Sequence, residues 1–415
     1  MFPRINQQFL DEARRWYLSC FSSCSERKIG LEKEYPVVDA NSYQAGDARK
    51  LFKLLQNMGW EPVFDDFYSD EVIGVKKDGV EITTDAGWCT LEIIMPPEKS
   101  IGAAVQRIRE IEQLVVNLCK SQGILVLGYG IQPITMPASD LWIKKRRHRI
   151  IKRGLPVGVD IVTITAAEQV HIDINRTEIV DATNVFNALS GPIILLFSNS
   201  PFWGGRLDDK SRLAVREDAW AFAGEQKAGM PPRCFADIEE LVKYISSLEF
   251  SIARKGRDYL VPKTSFIEWA GRDNWREQWK FHEASVWWDA RPRTIYGTIE
   301  VRQACSSKDS GCLPALVKGL IENLNQAREL IKELSWEEWR RLKSCAIFGL
   351  DDDVLQRATQ AMLEISHAGL KKSNEENWLD PLWERLKNNT NPAKDAIRLL
   401  QSGGLKALIE HNLLL

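Results

Sequence analysis

The sequence has no apolar run long enough to span a bilayer and no apolar core of a signal peptide. Its best apolar run, Leu189 to Phe197, is interrupted by Gly191 and Pro192, whereas a transmembrane helix needs about 20 apolar residues. The first residues, Met1 to Gln7, are too polar for a secretory leader. We therefore expect a cytoplasmic protein without a membrane partner.

The sequence also has no excess of charge of one sign and no paired cysteines. Its 55 Lys and Arg nearly balance 57 Asp and Glu, giving a net charge of −2 with His neutral. This balance makes nucleic acid an unexpected main partner. The eight cysteines form no CxxC pair, so we expect buried, chemically inert thiols rather than a zinc site.

Several common catalytic motifs are missing as well. There is no GxxxxGK(S/T) phosphate loop and no complete GxGxxG fingerprint. A GxSxG nucleophile elbow and an HExxH zinc helix are also absent. If this protein uses ATP, bound metal ions must therefore hold the phosphates.

What is present predicts an α+β fold. Apolar residues recur at helical spacing from Ile101 to Ser121. Further helices are predicted over 5–20, 47–58 and 178–199, the last interrupted at Gly191-Pro192. Strands are predicted over 28–38, 80–84, 90–95, 124–131, 163–174 and 286–302. The pattern beyond Leu313 is almost wholly helical. We expect a sheet-plus-helices core over 1–311 and a helical region over 312–415 packed on it as one structural unit.

The predicted strands carry an unusual set of polar residues. Side chains at i and i+2 share one face of a strand, which groups Glu32 with Glu34, Gln169 with His171 and Asp173, and Thr298 with Glu300 and Arg302. Glu92 lies inside an apolar run, and Asp85 lies in the turn before it. For any one strand, a solvated face is a sufficient explanation. Together, these faces concentrate carboxylates, one His and one Arg.

This set of side chains suits phosphoryl transfer. Clustered carboxylates repel each other and need cations. Magnesium prefers oxygen ligands and bridges carboxylates to substrate phosphates, and a His joins such a site less typically. Arg302, beside Glu300, can bind phosphate oxygens through its guanidinium fork. Metals and a fixed cation are what phosphoryl transfer requires.

Five motifs resemble those of the glutamate–cysteine ligase superfamily, in its plant-type and bacterial carboxylate–amine ligase branches. They follow the family's order from Gly30 to Arg302, and the sequence has a family-like helical tail beyond. The motifs are Gly30-Leu31-Glu32-Lys33-Glu34, Thr84-Asp85 with Leu91-Glu92, Gln169-Val170-His171-Ile172-Asp173, Ser200-Pro201-Phe202 and Glu300-Val301-Arg302.

The resemblance implies a glutamine-synthetase-like fold, with a curved, mainly antiparallel sheet, flanking helices and a site on the concave face. It implies an ATP- and Mg2+-dependent ligase that forms γ-glutamylcysteine, a step of glutathione biosynthesis, through a γ-glutamyl phosphate. It implies catalytic roles for Glu300 and Arg302, with Arg302 on the transferring phosphate. It implies substrate-binding roles for Arg216, Arg291 and Gln169. The implied metal ligands are Glu32, Glu34, Asp85, Glu92, His171 and Glu300.

Departures from the family pattern leave the amine acceptor open. Many bacterial relatives have His where Gln169 stands, and the family's T-G-x-x-S-x-R pattern is degraded at Lys210 to Arg216. The alternatives are the same chemistry with another amino acid, a small amine or a carrier-bound group, and a metal-dependent phosphotransferase or hydrolase. A non-catalytic binding protein is disfavoured because a scaffold has no need for costly clustered charge.

One basic run, Lys144 to Arg149, stands apart from these motifs. It is interpreted as a solvated loop or a rim that faces phosphate. The alternative is a docking site for an acidic acceptor such as a carrier protein or RNA.

Overall fold

The computed structural model describes residues 7–22, 26–65, 71–154, 158–256, 258–270 and 274–414. Within these ranges, no single helix has both the length and the apolar composition needed to cross a membrane. The bent helix pair at 179–188 and 190–197, inclined at 52°, meets these criteria only when its two halves are counted together.

A nine-stranded antiparallel sheet forms the centre of the described structure. Its strand order is β14-β15-β7-β1-β5-β4-β3-β2, and β6 pairs with the end of β1. These strands are β1 Ile29–Asp39, β2 Glu61–Phe64, β3 Val72–Lys77, β4 Val80–Thr84, β5 Thr90–Ile94, β6 Ile124–Val126, β7 Ala167–Asp173, β14 Ala290–Arg293 and β15 Thr298–Cys305. Three two-stranded ribbons accompany the sheet: β8 Phe202–Trp203 with β9 Arg206–Leu207, β10 Ala228–Gly229 with β13 Trp287–Trp288, and β11 Ala253–Lys255 with β12 Asp258–Leu260.

The helices fall into an N-terminal set between the strands and a C-terminal run. The first set is α1 Gln7–Ser19, α2 Lys50–Asn57, α3 Ile101–Ser121, α4 Arg146–Gly154, α5 Ile179–Ala188, α6 Ser190–Phe197, α7 Val215–Asp218, α8 Ile238–Ser247, α9 Phe266–Trp269 and α10 Trp275–Glu283. The C-terminal run is α11 Cys312–Glu322, α12 Leu324–Ile331, α13 Trp336–Phe348, α14 Asp353–Leu370, α15 Asp380–Lys387 and α16 Pro392–Asn412.

Strand register brings the polar side chains to one face of the sheet. Glu34 pairs with Glu92 across β1 and β5, and Glu32 pairs with Gln169 across β1 and β7. His171 pairs with Glu300 across β7 and β15. Directly paired residues point to the same side, so three separate strand pairings assemble one polar surface.

The opposite face of the sheet is apolar and covered by helices. Leu31, Val170 and Ile299 are buried there in the main hydrophobic core. Helix α5 packs on β14, α6 on β15, and α11 on β7. This helical layer holds the back of the strands, which leaves their front for the polar residues.

A buried lysine on the apolar face fixes the chain where it leaves the sheet. The Lys33 ammonium lies 3.6 Å from Glu168 and 3.7 Å from Glu112. It also donates to the carbonyl oxygens of Ser307 and Asp309, at 3.2 and 3.1 Å. These contacts join β1 and β7 to the segment that leads into α11, directly behind Glu32 and Glu34.

Most of the predicted elements are confirmed, with differences at their ends. Helix α3 has the predicted bounds, whereas the strand predicted over 124–131 stops at Val126. The helix predicted over 178–199 breaks at Leu189 rather than at Gly191-Pro192. Pro192 lies in the first turn of α6, where a missing backbone N–H removes no intrahelical bond. Strands β2 and β3 were not predicted because their apolar alternation is weak.

Helices α11 and α14 cross at Gly319 and Gly369, and this crossing has no room for a side chain. A Cβ atom on Gly319 would collide with the backbone oxygen of Ser366. We expect Gly319→Ala to lower the free energy of unfolding by about 1–3 kcal/mol because the packed helices must separate. Urea denaturation would measure this change.

The matched control is Gly102→Ala on α3, where an added Cβ meets no atom within 4 Å. This variant should gain at most about 0.5–1 kcal/mol, the value for a helix interior, because Gly102 lies in the first turn of α3. Equal effects of the two substitutions would contradict the proposed close packing at Gly319.

Candidate active site

A cavity of about 250 Å³ lies on the polar face of the sheet. It is lined by acidic residues from the strands, basic residues from both sheet and helices, and three tryptophans. The acidic residues are Glu32, Glu34, Asp85, Glu92 and Glu300; the basic ones are Lys145, Arg147, His148, Arg216, Arg291, Arg293 and Arg302; the tryptophans are Trp142, Trp220 and Trp287. Gln169 completes the set of predicted site residues on this wall, and His171 lies just behind Glu32.

Glu32, His171 and Glu300 form a group that can hold a metal ion. One donor atom from each lies within 4.8 Å of the others. His171 Nδ1 is 3.1 Å from Thr298 Oγ1, which orients the ring, and Nε2 is 3.2 Å from Glu32 Oε1. Burial tends to raise the pKa of Glu32, but the hydrogen bond and charge of His171, together with the charge of Arg293, leave that pKa below its usual value, so Glu32 is held as a carboxylate.

Glu34, Asp85 and Glu92 crowd the neighbouring part of the cavity. Burial, followed by the charge of Asp85, raises the pKa of Glu34 to about 8. Burial also raises the pKa of Asp85, and burial with the nearby Asp85, Glu32 and Glu34 raises that of Glu92 well above its usual range. Such a group holds protons in the absence of a cation and releases them when one binds.

Glu300 is the acceptor for three arginine side chains. Arg291 donates from Nε and Nη2 at 2.9 and 3.0 Å, and Arg293 and Arg302 also donate to the same carboxylate. Burial opposes the charge of Glu300, but these arginines hold its pKa well below the usual range. Arg291 also donates to the Val286 carbonyl oxygen at 2.5 Å. Its predicted role in substrate binding stays a prediction.

Gln169 and Arg216 connect the acidic and basic parts of the cavity. The Gln169 amide donates to Glu34 Oε1 at 2.8 Å and accepts from Arg302. Arg216 is buried, donates to the Arg302 carbonyl oxygen at 2.7 Å and forms an ion pair with Glu217. Arg302 therefore lies between the carboxylate cluster and the Arg216 end of the cavity.

Sequence reasoning missed several residues of this cavity. Arg293 could have been found, because it follows Arg291 by two positions on β14 and shares its face. Lys145, Arg147 and His148 belong to the basic run, whose approach to the site depends on tertiary structure. Their placement agrees with the rim interpretation, although the run from Arg146 onwards forms the first turn of α4 rather than a loop.

Two more cavities adjoin the main one. A cavity of about 230 Å³ lies on the other side of Glu32 and His171, with Met95, Pro97 and Tyr296 among its walls. An outer cavity of about 220 Å³ lies beyond Trp220, between Glu217 and helix α13. The rings of Trp220 and Trp287 lie 5.5 Å apart at the boundary between the main cavity and the outer cavity.

The sequence and the fold are both similar to known ligases. The family model for glutamate–cysteine ligase family 2 matches residues 28–411. A glutamate–cysteine ligase of Natronomonas pharaonis is 23% identical over 349 residues, which is 80% of each chain. A Rubrobacter xylanophilus protein provisionally named glutamate–cysteine ligase 2-3 is 25% identical over 339 residues, covering 77% of this chain and 83% of its own.

A solved structure shares the fold. The glutamate–cysteine ligase of Francisella tularensis, solved in complex with AMP, has a TM-score of 0.61 at 15% identity, and the match covers 94% of this chain and 88% of that one. The protein described here belongs to glutamate–cysteine ligase family 2. It is accordingly an ATP-dependent ligase that forms an amide bond, as the motifs of its sequence predicted.

The crowding of carboxylates predicts a pH-dependent loss of stability in the metal-free protein. The folded state keeps a proton on Glu92 that the unfolded state releases above pH 4.5, so this group destabilises the fold increasingly as the pH rises. We expect Glu92→Gln to raise the free energy of unfolding at pH 8 by about 1–3 kcal/mol.

The measurement is urea denaturation of the metal-free proteins at pH 5 and pH 8. The gain for Glu92→Gln should shrink at pH 5, whereas Glu110→Gln, on the exposed side of α3, should change little at either pH. A variant that is less stable than the wild type at pH 8 would count against the raised pKa.

Proposed function

We propose that this protein joins the γ-carboxylate of glutamate to the amine of cysteine, using ATP and Mg2+, through a γ-glutamyl phosphate. The observation that carries the proposal is the position of Arg302. Its guanidinium donates to Glu300 and Gln169, and its backbone carbonyl oxygen accepts from Arg216. A fixed cation at that point suits a phosphoryl group passing from one bound substrate to the other.

The donor set fits Mg2+, which prefers oxygen ligands. Glu32, His171 and Glu300 already offer donor atoms within 4.8 Å of one another, and Glu34, Asp85 and Glu92 are carboxyls with raised pKa values that a cation would deprotonate. These six residues would hold the metal. When bound, Mg2+ would neutralise phosphate charge and so favour transfer.

In the first step, an oxygen of the donor carboxylate attacks the γ-phosphorus of ATP, and ADP leaves. Arg302 would bind the transferring phosphoryl group and reduce the repulsion between the two anionic reactants. Arg216, on the side of the cavity formed by Glu217 and Trp220, would bind the donor's other carboxylate through a bidentate contact. Gln169 would keep Arg302 and Glu34 in position.

In the second step, the acceptor nitrogen attacks the acyl carbon, the phosphate leaves, and the nitrogen loses a proton. The outer cavity beyond Trp220 and Trp287 offers a route for the amine that does not pass the nucleotide. The two tryptophans would also keep water away from the acyl phosphate, which hydrolysis would otherwise destroy.

The direct test is ADP release with ATP, Mg2+ and L-glutamate, with and without L-cysteine, followed by other amines. Cysteine-dependent ADP release together with γ-glutamylcysteine, identified by mass spectrometry, would support the full proposal. Release that depends on a different amine would keep the chemistry and change the acceptor. Release that no amine affects would favour a phosphotransferase or hydrolase.

Arg302→Ala tests the assignment of the phosphoryl site. We expect kcat to fall by about 100-fold or more, because a preorganised cation that stabilises developing charge contributes roughly this much. Arg109→Ala is the control, since Arg109 is exposed on α3, away from the cavity. Thermal unfolding would verify that both variants fold, and wild-type turnover in Arg302→Ala would exclude the proposed role.

A further inference from the structure

The basic run leads into helix α4 beside the main cavity, and the start of this helix is held by contacts with the sheet and with strand β12. Lys145 Nζ donates to the Thr84 carbonyl oxygen at 2.7 Å and to Thr83 Oγ1 at 3.2 Å. The Arg146 guanidinium binds Asp258 at 2.9–3.0 Å. These contacts hold the two residues directly before Arg147, which itself lines the cavity.

Arg147 differs from the other arginines that line the cavity. Arg216 pairs with Glu217, and Arg291, Arg293 and Arg302 all pair with Glu300. For Arg147, no hydrogen bond or ion pair is formed with any residue in the described part of the chain, and its Nε is shielded from solvent without an acceptor. Next to it, His148 Nδ1 is also buried without a partner.

The buried Nε of Arg147 is costly without an acceptor, because this donor has lost water and gained no hydrogen bond in return. Burial lowers the pKa of Arg147, and the charge of the nearby Arg293 lowers it further. The opposite charge of a bound anion would offset both effects. The first turn of a helix adds a partial positive charge in the same place, so the site favours an anionic ligand.

The position of Arg147 decides between a phosphoryl group and a carboxylate. Its charged neighbours are Arg293 and Asp85, and Arg293 in turn neighbours Glu300 and Glu32. Arg147 therefore lies at the metal-binding end of the cavity. Arg216, which we assign to the donor carboxylate, lies at the end formed by Glu217 and Trp220.

We propose that Arg147 binds the γ-phosphoryl group of ATP from the side opposite the sheet, with His148 beside it, so that α4 and Arg302 enclose the transferring group between them. This assignment rests on the proposed function for the location of phosphoryl transfer. It gives Arg147 and His148 a small-molecule role instead of a docking role.

The test is calorimetric binding of ATP and of AMP, each with Mg2+, to the full-length protein without donor or acceptor. Arg147→Ala should weaken ATP binding by about 10- to 100-fold, the effect of removing a charge-assisted hydrogen bond. Binding of AMP, which has no γ-phosphate, should stay within about twofold. Arg147→Lys should recover part of the ATP affinity because it keeps the charge.

The matched control is Lys144→Ala, which removes a positive charge from the same run at an exposed position outside the cavity. It should leave both affinities unchanged. If Arg147→Ala does not fold, Arg147→Lys and Arg147→Gln make the same comparison, with Gln expected to lose more ATP affinity than Lys.

Three outcomes would overturn the proposal. In the first, Arg147→Ala and Lys144→Ala bind ATP with the same affinity. In the second, Arg147→Ala loses as much affinity for AMP as for ATP. In the third, Arg147→Ala has a raised KM for the donor and unchanged ATP binding. If the wild-type protein binds ATP and releases ADP, and Arg147→Ala behaves like the control, this inference alone is wrong. If the wild-type protein binds no ATP, the proposed function is wrong as well.

Discussion

Glu300 accepts hydrogen bonds from Arg291, Arg293 and Arg302 at once, and the basic wall of the cavity is arranged around this carboxylate. The group is buried on strand β15 next to β14. Removing one partner from such a buried network leaves charges uncompensated, which typically costs about 3–5 kcal/mol. Arg302 can face the substrates in a fixed position because its Nη1 donates to both Glu300 and Gln169.

The rest of the cavity has the opposite electrostatic character. Glu34, Asp85 and Glu92 lie close together with raised pKa values and few basic partners, so this region is unstable until a cation arrives. Arg147 is the opposite case, a cation at the cavity wall whose Nε is buried without an acceptor. A metal–nucleotide complex carries both a cation for the carboxylates and an anion for Arg147. The cost of preparing the site is thus recovered when substrate binds, which is the usual trade between stability and activity.

Strand β1 links this chemistry to the fold. Its front carries Glu32 and Glu34, and its back carries Lys33, which is joined to Glu168 and to the segment leading into the C-terminal helices. A slip of one residue would exchange these faces. The Lys33 contacts oppose such a slip, because the slip would leave the buried ammonium without partners. Glu32 on β1 and His171 on β7 also separate the main cavity from the one beside Tyr296.

The sequence by itself determined which residues share a strand face, because the alternation of side chains is a local property of the backbone. Glu32 with Glu34, and Glu300 with Arg302, could be placed together for that reason, and the order of the motifs indicated the family. Only the tertiary structure decided that Arg147 lies at the cavity, that Arg216 contacts the Arg302 carbonyl, and that Arg291 binds Glu300. Those contacts join segments whose distance along the chain carries no periodic pattern, and they form only when strand register and helix packing bring the segments together.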